Sequence, residues 1–262
     1  MAKRIVITSG KGGVGKTTLT ANLGRALAVQ GFSVLLVDVD FGLNNLDVVM
    51  GLENKVVYDV SDVLDGRCRP RQALVQDRQR KNLYVLPSNS LQTSSNVSGQ
   101  NLKLIIESVS SAFDYILLDC PAGIDIGFHR AVSCSDSAIV VTTAGLPSLR
   151  DADKVLSILK SYRLDGVGLV VNRARGDLIM SEKMMMPTDV SLLLKTELIG
   201  VLPEEDSVFL SGGISLPKKT DSYKAYKMLA ENIVKGCKKI FDVTDKYSGF
   251  FGSIRRSIKK SV

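Results

Sequence analysis

Residues 10–18 read GKGGVGKTT, and this stretch decides the fold of the chain. It follows a short apolar run, RIVIT (4–8), and it opens a helical pattern, KTTLTANLGRALAVQ (16–30). A glycine-rich loop between a strand and a helix is the context that separates a phosphate-binding loop from an ordinary turn. The sequence therefore predicts a strand, a phosphate-binding loop and a helix at the start of an α/β domain.

The loop fits the pattern G-x-x-x-x-G-K-[ST] through Gly10, Gly15, Lys16 and Thr17. Its glycines let backbone N–H groups curve around phosphate oxygens, and the following helix points its positive end at them. We expect Lys16 to reach the β- and γ-phosphates and Thr17 to bind Mg²⁺. The predicted phosphate-binding residues are consecutive: Gly10, Lys11, Gly12, Gly13, Val14, Gly15, Lys16, Thr17 and Thr18.

Short apolar runs recur along the chain and alternate with helical patterns. Most runs are continuous, as expected for strands that are buried on both faces. The predicted strands lie at 4–8, 33–39, 82–87, 115–119, 137–143, 166–172 and 197–203. The clearest helical patterns lie at 16–30, 101–113, 149–162 and 222–241. This alternation predicts an α/β fold with a mostly parallel, doubly wound sheet and helices on both faces.

Three acidic residues stand at the ends of predicted strands, where α/β sheets place their ligands. Asp38 and Asp40 follow the second strand and share one face by alternation; one carboxylate can hold a Mg²⁺-bound water and the other can orient the attacking water. Asp119 ends the run YILLD (115–119) and is predicted to act on Mg²⁺ through water. The predicted metal residues are Thr17, Asp40 and Asp119, and Lys16, Asp38 and Asp40 are predicted to be catalytic.

Cysteine and histidine usage argues against several other classes of site. The four cysteines stand at 68, 120, 134 and 237, none in a C-x-x-C pair, and His129 is the single histidine. Zinc sites, disulfide frameworks and iron–sulfur carriers are therefore disfavoured, and a reducing compartment is expected. No secretory signal pattern precedes the first strand, and the longest apolar runs are far below the roughly 18 residues of a membrane span.

The basic character of the chain belongs to its end. The net charge is +7, of which residues 246–262 contribute +5, so residues 1–245 carry only +2. A basic nucleic-acid surface on the body is therefore not expected. We divide the chain into a predicted P-loop domain, 1–245, and a predicted linker and amphipathic helix, 246–262.

The segment FFGSIRRSIKKSV (250–262) sorts its residues by helical angle. At 100° per residue the apolar and basic side chains occupy separate arcs, as in helices that lie on anionic lipid. The predicted membrane residues are Phe250, Phe251, Ile254, Arg255, Arg256, Ile258, Lys259 and Lys260. A helix of this length is marginal in water, so one copy should bind lipid weakly. A solvated basic end and a helix docked on its own domain are the alternatives.

The string KGGVGKT, together with VDVDFGLNNLD (37–47) and DCPAGID (119–125), resembles the MinD/ParA family of deviant Walker A P-loop ATPases. The resemblance covers essentially the whole chain. It implies that Lys11 is a catalytic residue that crosses a dimer interface to the partner's nucleotide, and that Asn45 lies at that interface. It also implies adenine contacts from two strand ends: Asn172, Arg173, Pro203, Glu204 and Asp206. The cofactors implied are ATP and Mg²⁺.

The resemblance also implies a function. A homodimer formed with ATP would attach to the cytoplasmic face of the membrane, position the division septum by recruiting a division inhibitor, and be released when an activator stimulates a slow ATPase. A flagellar placement or number ATPase of the same family is an alternative, although it usually carries an N-terminal extension before its first strand. A DNA-partition ATPase is a second alternative, and the low charge of residues 1–245 disfavours it.

Overall fold

The computed structural model describes residues 2–41, 45–88, 97–210 and 216–248. The predicted membrane helix lies outside the described residues, together with all of its named positions: Phe250, Phe251, Ile254, Arg255, Arg256, Ile258, Lys259 and Lys260. In the part of the chain that is described, no helix is long and apolar enough to cross a membrane.

Eight strands of the described residues form one sheet, in the order β3-β4-β2-β5-β1-β6-β7-β8. Every neighbouring pair is parallel except β3 with β4. The strands are β1 Lys3–Thr8, β2 Val34–Asp38, β3 Val75–Gln76, β4 Leu83–Leu86, β5 Tyr115–Asp119, β6 Ser137–Thr142, β7 Gly166–Ala174 and β8 Glu197–Pro203. The predicted parallel sheet is confirmed. The short antiparallel strand β3 was not predicted, because it does not lie in an apolar run.

Continuous apolar strands form because both faces of the sheet are covered. All five residues of β2 and all five of β5 are buried. Successive side chains of a strand point to opposite faces, so Val6 packs into one core while Ile5 and Ile7 pack into the other. A strand with only one covered face would need alternating polar residues, which β2 and β5 lack until their terminal acids.

Helices lie on both faces of the sheet. The core on one face takes side chains from α4, α5, α6 and α8, and the core on the other takes side chains from α1, α2 and α10. The helices are α1 Lys16–Val29, α2 Leu46–Met50, α3 Val60–Leu64, α4 Gly99–Val109, α5 Ile126–Ser133, α6 Leu146–Leu159, α7 Gly176–Met180, α8 Pro187–Leu194, α9 Asp206–Leu210 and α10 Asp221–Lys235. The doubly wound architecture is therefore confirmed.

The last described helix is shorter than the sequence pattern predicts. The pattern runs through 222–241, but α10 ends at Lys235 because Gly236 takes a left-handed conformation, with φ +65°. The chain then returns along the domain. Tyr247 is 5% exposed, and Lys246 Nζ lies 2.9 Å from Asp221 Oδ2. The first residues of the predicted linker are thus held against the domain, whereas its continuation lies outside the described residues.

Candidate active site

The phosphate loop connects β1 to α1 at the carboxyl end of the sheet. Gly13 and Gly15 have φ values of +76° and +94°, in the left-handed region that favours glycine. Gly10 packs so closely on α6 that an added Cβ would lie 2.2 Å from the carbonyl oxygen of Asp151. The loop therefore needs glycine for its turns and for its contact with the neighbouring helix. The first N–H groups of a helix have no partner within it, so those of α1 are suited to bind an anion held by this loop.

Lys16 is the first residue of α1, and its ammonium group is buried. The residue is 8% exposed, and Nζ donates a hydrogen bond to Ser9 Oγ over 2.9 Å. Burial lowers the pKa of Lys16, while Asp119 and Asp40 oppose that shift. A buried cation beside open backbone donors is suited to a phosphate, because an anion there would offset the cost of desolvation.

Lys11 has the opposite environment. Its side chain is exposed, and it has no hydrogen bond or ion pair within the described part of the chain. Its carbonyl oxygen accepts from Ser9 Oγ over 2.7 Å, so the backbone is fixed while the side chain points outward. The two lysines of the loop are thus separated into one buried group and one available group.

The acids meet at the ends of two adjacent strands. Asp38 of β2 pairs in register with Asp119 of β5. The Asp119 carboxylate accepts from Thr20 Oγ1 over 3.1 Å and also from the Thr17 hydroxyl. Burial is the main reason that the pKa of Asp119 rises to about 6, and both hydroxyl contacts lower it. Thr17 and Asp119 are therefore brought together beside the phosphate loop, as the magnesium prediction requires.

Asp38 and Asp40 differ more than the sequence indicated. Asp38 is 1% exposed, and its carboxylate accepts from the backbone N–H groups of Asp40 (2.9 Å) and Leu46 (3.3 Å). Burial and the nearby Asp119 raise the pKa of Asp38 well above its usual range. Asp40 is only half-buried. The structure therefore gives Asp38 a direct part in shaping the loop after β2, whereas Asp40 is the more accessible carboxylate.

The predicted base-binding residues line one pocket of about 350 Å³ beside the start of α1. Asn172 Nδ2 donates to the Val14 carbonyl oxygen over 2.7 Å, so the end of β7 is joined to the phosphate loop. Arg173 has φ +53°, an uncommon value for a residue with a side chain. The residues that line the pocket are Gly15, Thr18, Asn172, Arg173, Pro203, Glu204, Glu205, Asp206, Val208 and Tyr226.

Several contributors to this region were missed from the sequence. Ser9 holds Lys16, Thr20 holds Asp119, and Tyr226 of α10 forms a wall of the base pocket. The position of Thr20, one helical turn beyond Lys16, was a usable signal, because i and i+4 share one face of a helix. No signal in the sequence indicated Tyr226, since it lies on a helix that is distant along the chain. Asn45, predicted at a dimer interface, is exposed at the start of α2, which leaves that prediction open.

The donor set fits a magnesium nucleotide. Among residues 2–41, 45–88, 97–210 and 216–248, no group of three or more His, Cys, Asp or Glu residues could hold a metal alone. A hydroxyl, a carboxylate and the phosphates of a bound nucleotide together form the kind of oxygen site that Mg²⁺ prefers. Thr17 and Asp119, with Asp40 nearby, would hold the ion, and it would neutralise charge on the transferred phosphoryl group.

Comparisons with known proteins agree with this geometry. The AAA domain family model matches residues 2–166. The septum site-determining protein MinD of Bacillus subtilis is 42% identical over 240 residues, which are 89% of this chain and 90% of that protein.

Two solved structures are also similar. MinD in the MinC:MinD cell division protein complex of Aquifex aeolicus superposes with a TM-score of 0.82 at 41% identity, covering 89% of this chain and 96% of that chain. The septum site-determining protein MinD of Pyrococcus horikoshii, complexed with Mg-ADP, superposes with a TM-score of 0.81 at 33% identity, covering 90% and 97%. With its phosphate loop, paired strand-end acids and base pocket, this chain belongs to the MinD family of septum site-determining ATPases, which use ATP and Mg²⁺.

Proposed function

We propose that this protein is a peripheral membrane switch that dimerises with ATP and positions the division septum. The observation that carries the proposal is the separation of the two lysines in the phosphate loop. Lys16 is buried on the phosphate side, so the exposed Lys11 is left to contact the nucleotide of a second copy. Such a contact would exist only when two subunits face each other across their nucleotides.

The surface around the loop supports this arrangement. Ile126, the first residue of α5, is 75% exposed, and Leu146, the first residue of α6, is 72% exposed. Both helices begin at the carboxyl end of the sheet, where the phosphate loop also lies. Large exposed apolar side chains beside a ligand site are typical of a surface that a partner covers. A second copy would bury them while its Lys11 reaches across.

The proposed chemistry needs few groups. The phosphate loop and Mg²⁺ neutralise the phosphates, and Asp40 orients the attacking water. Lys11 and Lys16 are the two cationic residues of the loop 10–18, and the proposal assigns Lys11 to the nucleotide of the second copy. The intrinsic rate should therefore be slow, so that the ATP-bound dimer persists until an activator shortens its life. In the Aquifex protein the solved partner is MinC; by family membership we propose a division inhibitor of that kind here.

Membrane attachment follows from avidity. Each basic residue of one tail contributes roughly 1 kcal/mol to binding an anionic leaflet. The loss of conformational entropy when the tail folds offsets part of this binding free energy. Two tails on one dimer raise the apparent affinity about 10²–10⁴-fold. ATP would then place the protein on the cytoplasmic face of the membrane, and hydrolysis would return it to the cytoplasm.

Co-sedimentation with phosphatidylcholine vesicles containing phosphatidylglycerol tests the switch. We expect the full chain to sediment with ATP and not with ADP. Lys11→Ala should lose the response to ATP while still binding nucleotide, whereas Lys3→Ala, at the opposite end of β1, should behave as the full chain does. A chain ending at Ser248 and Ile258→Glu should stay in solution in both nucleotides.

Equal sedimentation of all five proteins in both nucleotides would disprove the switch. DNA binding by the full chain at physiological salt, with a steep salt dependence, would indicate a partition ATPase instead.

A further inference from the structure

A buried guanidinium group lies over an aromatic ring beside the active site. The Cζ atom of Arg130 is 5.1 Å from the centre of the Phe41 ring. Arg130 is 6% exposed and Phe41 is 4% exposed. Arginine is almost never this buried unless other groups offset the loss of water, and the face of an aromatic ring offers such compensation. The contact is therefore a specific feature of this core.

The pair connects the two segments that carry the active-site acids. Phe41 directly follows Asp40, in the loop after β2. Arg130 lies in the last turn of α5, the helix that begins directly after the loop 120–125 and the acid Asp119. The contact thus spans from the Asp40 loop to the helix that follows the Asp119 loop.

The backbone of Asp40 is already held on two sides. Its N–H donates to Asp38 Oδ1 over 2.9 Å, and its carbonyl oxygen accepts from Ser88 Oγ over 3.2 Å. The ring of Phe41, the next residue, lies against the guanidinium group of Arg130. The side chain that directly follows Asp40 is therefore in contact with a residue 90 positions beyond Asp40.

We propose that Arg130 is a positioning residue for ATP hydrolysis, which acts through the ring of Phe41 to hold the Asp40 loop against the helix that follows the Asp119 loop. Arg130 is buried and is not among the described residues that line the base pocket, so its proposed action is through Phe41. Its effect is on the placement of the acid that orients the attacking water. A displacement of about 1 Å at such a group can cost up to ~10²-fold in rate.

A double-mutant cycle on the full chain tests the pair. Arg130→Met keeps the length of the side chain and removes its charge, and Phe41→Leu removes the ring. We expect each variant to lower kcat by roughly 10-fold or more, with ADP affinity and KM for ATP changed less than about threefold. The double variant should be no slower than the slower single variant, because the second change removes a contact that is already lost. Arg130→Lys, which keeps a cation over the ring, should give an intermediate kcat, and it replaces Arg130→Met in the cycle if that variant does not fold.

Phe32→Leu is the matched control for Phe41→Leu. Phe32 packs edge-on against Tyr115 with ring centres 5.2 Å apart, at the amino end of the sheet. This variant should lower the unfolding temperature without changing kcat. ATP-dependent dimerisation, measured by sedimentation velocity, should be retained by all four variants of the pair.

The proposal would be overturned if the loss of kcat in the double variant equalled the product of the losses in the two single variants. Losses of ADP affinity or of dimerisation that match the loss of kcat would also overturn it. The proposed membrane switch is tested separately, because these rates are measured without lipid.

Discussion

The side-chain amide of Asn172 donates to the carbonyl oxygen of Val14 over 2.7 Å, although the two residues are 158 positions apart. This bond joins the strand end that lines the base pocket to the loop that binds phosphate. Gly15 admits it, because a Cβ at that position would lie 2.4 Å from Asn172 Nδ2. The amide oxygen accepts from the Arg173 N–H over 2.9 Å, which holds Arg173 in its left-handed conformation. One side chain thus fixes two parts of the nucleotide site relative to each other.

Asn172→Ala should weaken ADP binding. The loss of one hydrogen bond to a backbone carbonyl is typically about 0.5–1.5 kcal/mol, or up to roughly 10-fold in affinity. Asn172→Asp should lower ADP affinity further, since it places an acceptor against the Val14 carbonyl oxygen and adds negative charge near the phosphates. Isothermal titration with Mg-ADP measures both effects.

Asn82→Ala is the control, because Asn82 is a half-buried asparagine whose amide also joins two segments of the chain. Asn82 Nδ2 donates to the carbonyl oxygens of Ala28 (2.9 Å) and Phe32 (2.8 Å) at the other end of the sheet. Its loss should lower stability and leave ADP affinity unchanged. Equal ADP affinity in Asn172→Ala and the unmodified chain would show that the bond to Val14 does not organise the site.

The pKa of Asp119 predicts how stability responds to pH in the nucleotide-free protein. Burial raises this pKa from 3.8 to about 6, so between these values the folded chain binds a proton more tightly than the unfolded chain. Stability from this residue is therefore fully present below about pH 4 and is lost as pH rises to about 6. Asp119→Asn, which imitates the neutral carboxyl group, should raise the free energy of unfolding at pH 7 by on the order of 1–3 kcal/mol. Urea unfolding between pH 4 and pH 7.5 measures the difference, which should nearly vanish at pH 4.

With Mg-ADP bound, the unmodified chain should become more stable than Asp119→Asn. The metal ion favours the ionised carboxylate, so bound nucleotide should stabilise the unmodified chain more than Asp119→Asn. A variant that is no more stable than the unmodified chain at pH 7 without nucleotide would contradict the role of burial.

The central strands were predictable because their burial is continuous. The runs at 34–38 and 115–119 contain no polar residue before the terminal acid, and only strands covered on both faces tolerate such runs. The end of α10 was not predictable by periodicity, since apolar spacing continues to 241 while Gly236 ends the helix. The two-residue β3 carries too few residues for any pattern.

The active site was predictable as a set of residues but not as an arrangement. The phosphate loop and the acids follow from local strings that also fix their strand and helix. The difference between Asp38 and Asp40 does not, because it depends on the backbone of Leu46 folding back onto Asp38. Contacts such as Thr20 with Asp119 or Arg130 with Phe41 join distant segments, and one sequence contains no direct record of them.

The last described residues should contribute to the stability of the domain, although the sequence indicated a linker from residue 246. The Tyr247 ring packs on Gly176, where an added Cβ would lie 2.8 Å from it and 1.9 Å from the Val243 carbonyl oxygen. Tyr247→Ala should therefore lower the free energy of unfolding by roughly 3 kcal/mol, the range seen when a buried aromatic ring is removed.

Lys246→Ala removes a partly exposed ion pair with Asp221 and should lower the free energy of unfolding by less than about 1 kcal/mol. Urea unfolding of chains ending at Thr244 and at Ser248 completes the test: the shorter chain should be as unstable as Tyr247→Ala, and the longer one as stable as the full chain. Equal stability of the two truncated chains would place the domain boundary before Tyr247, as the sequence predicted.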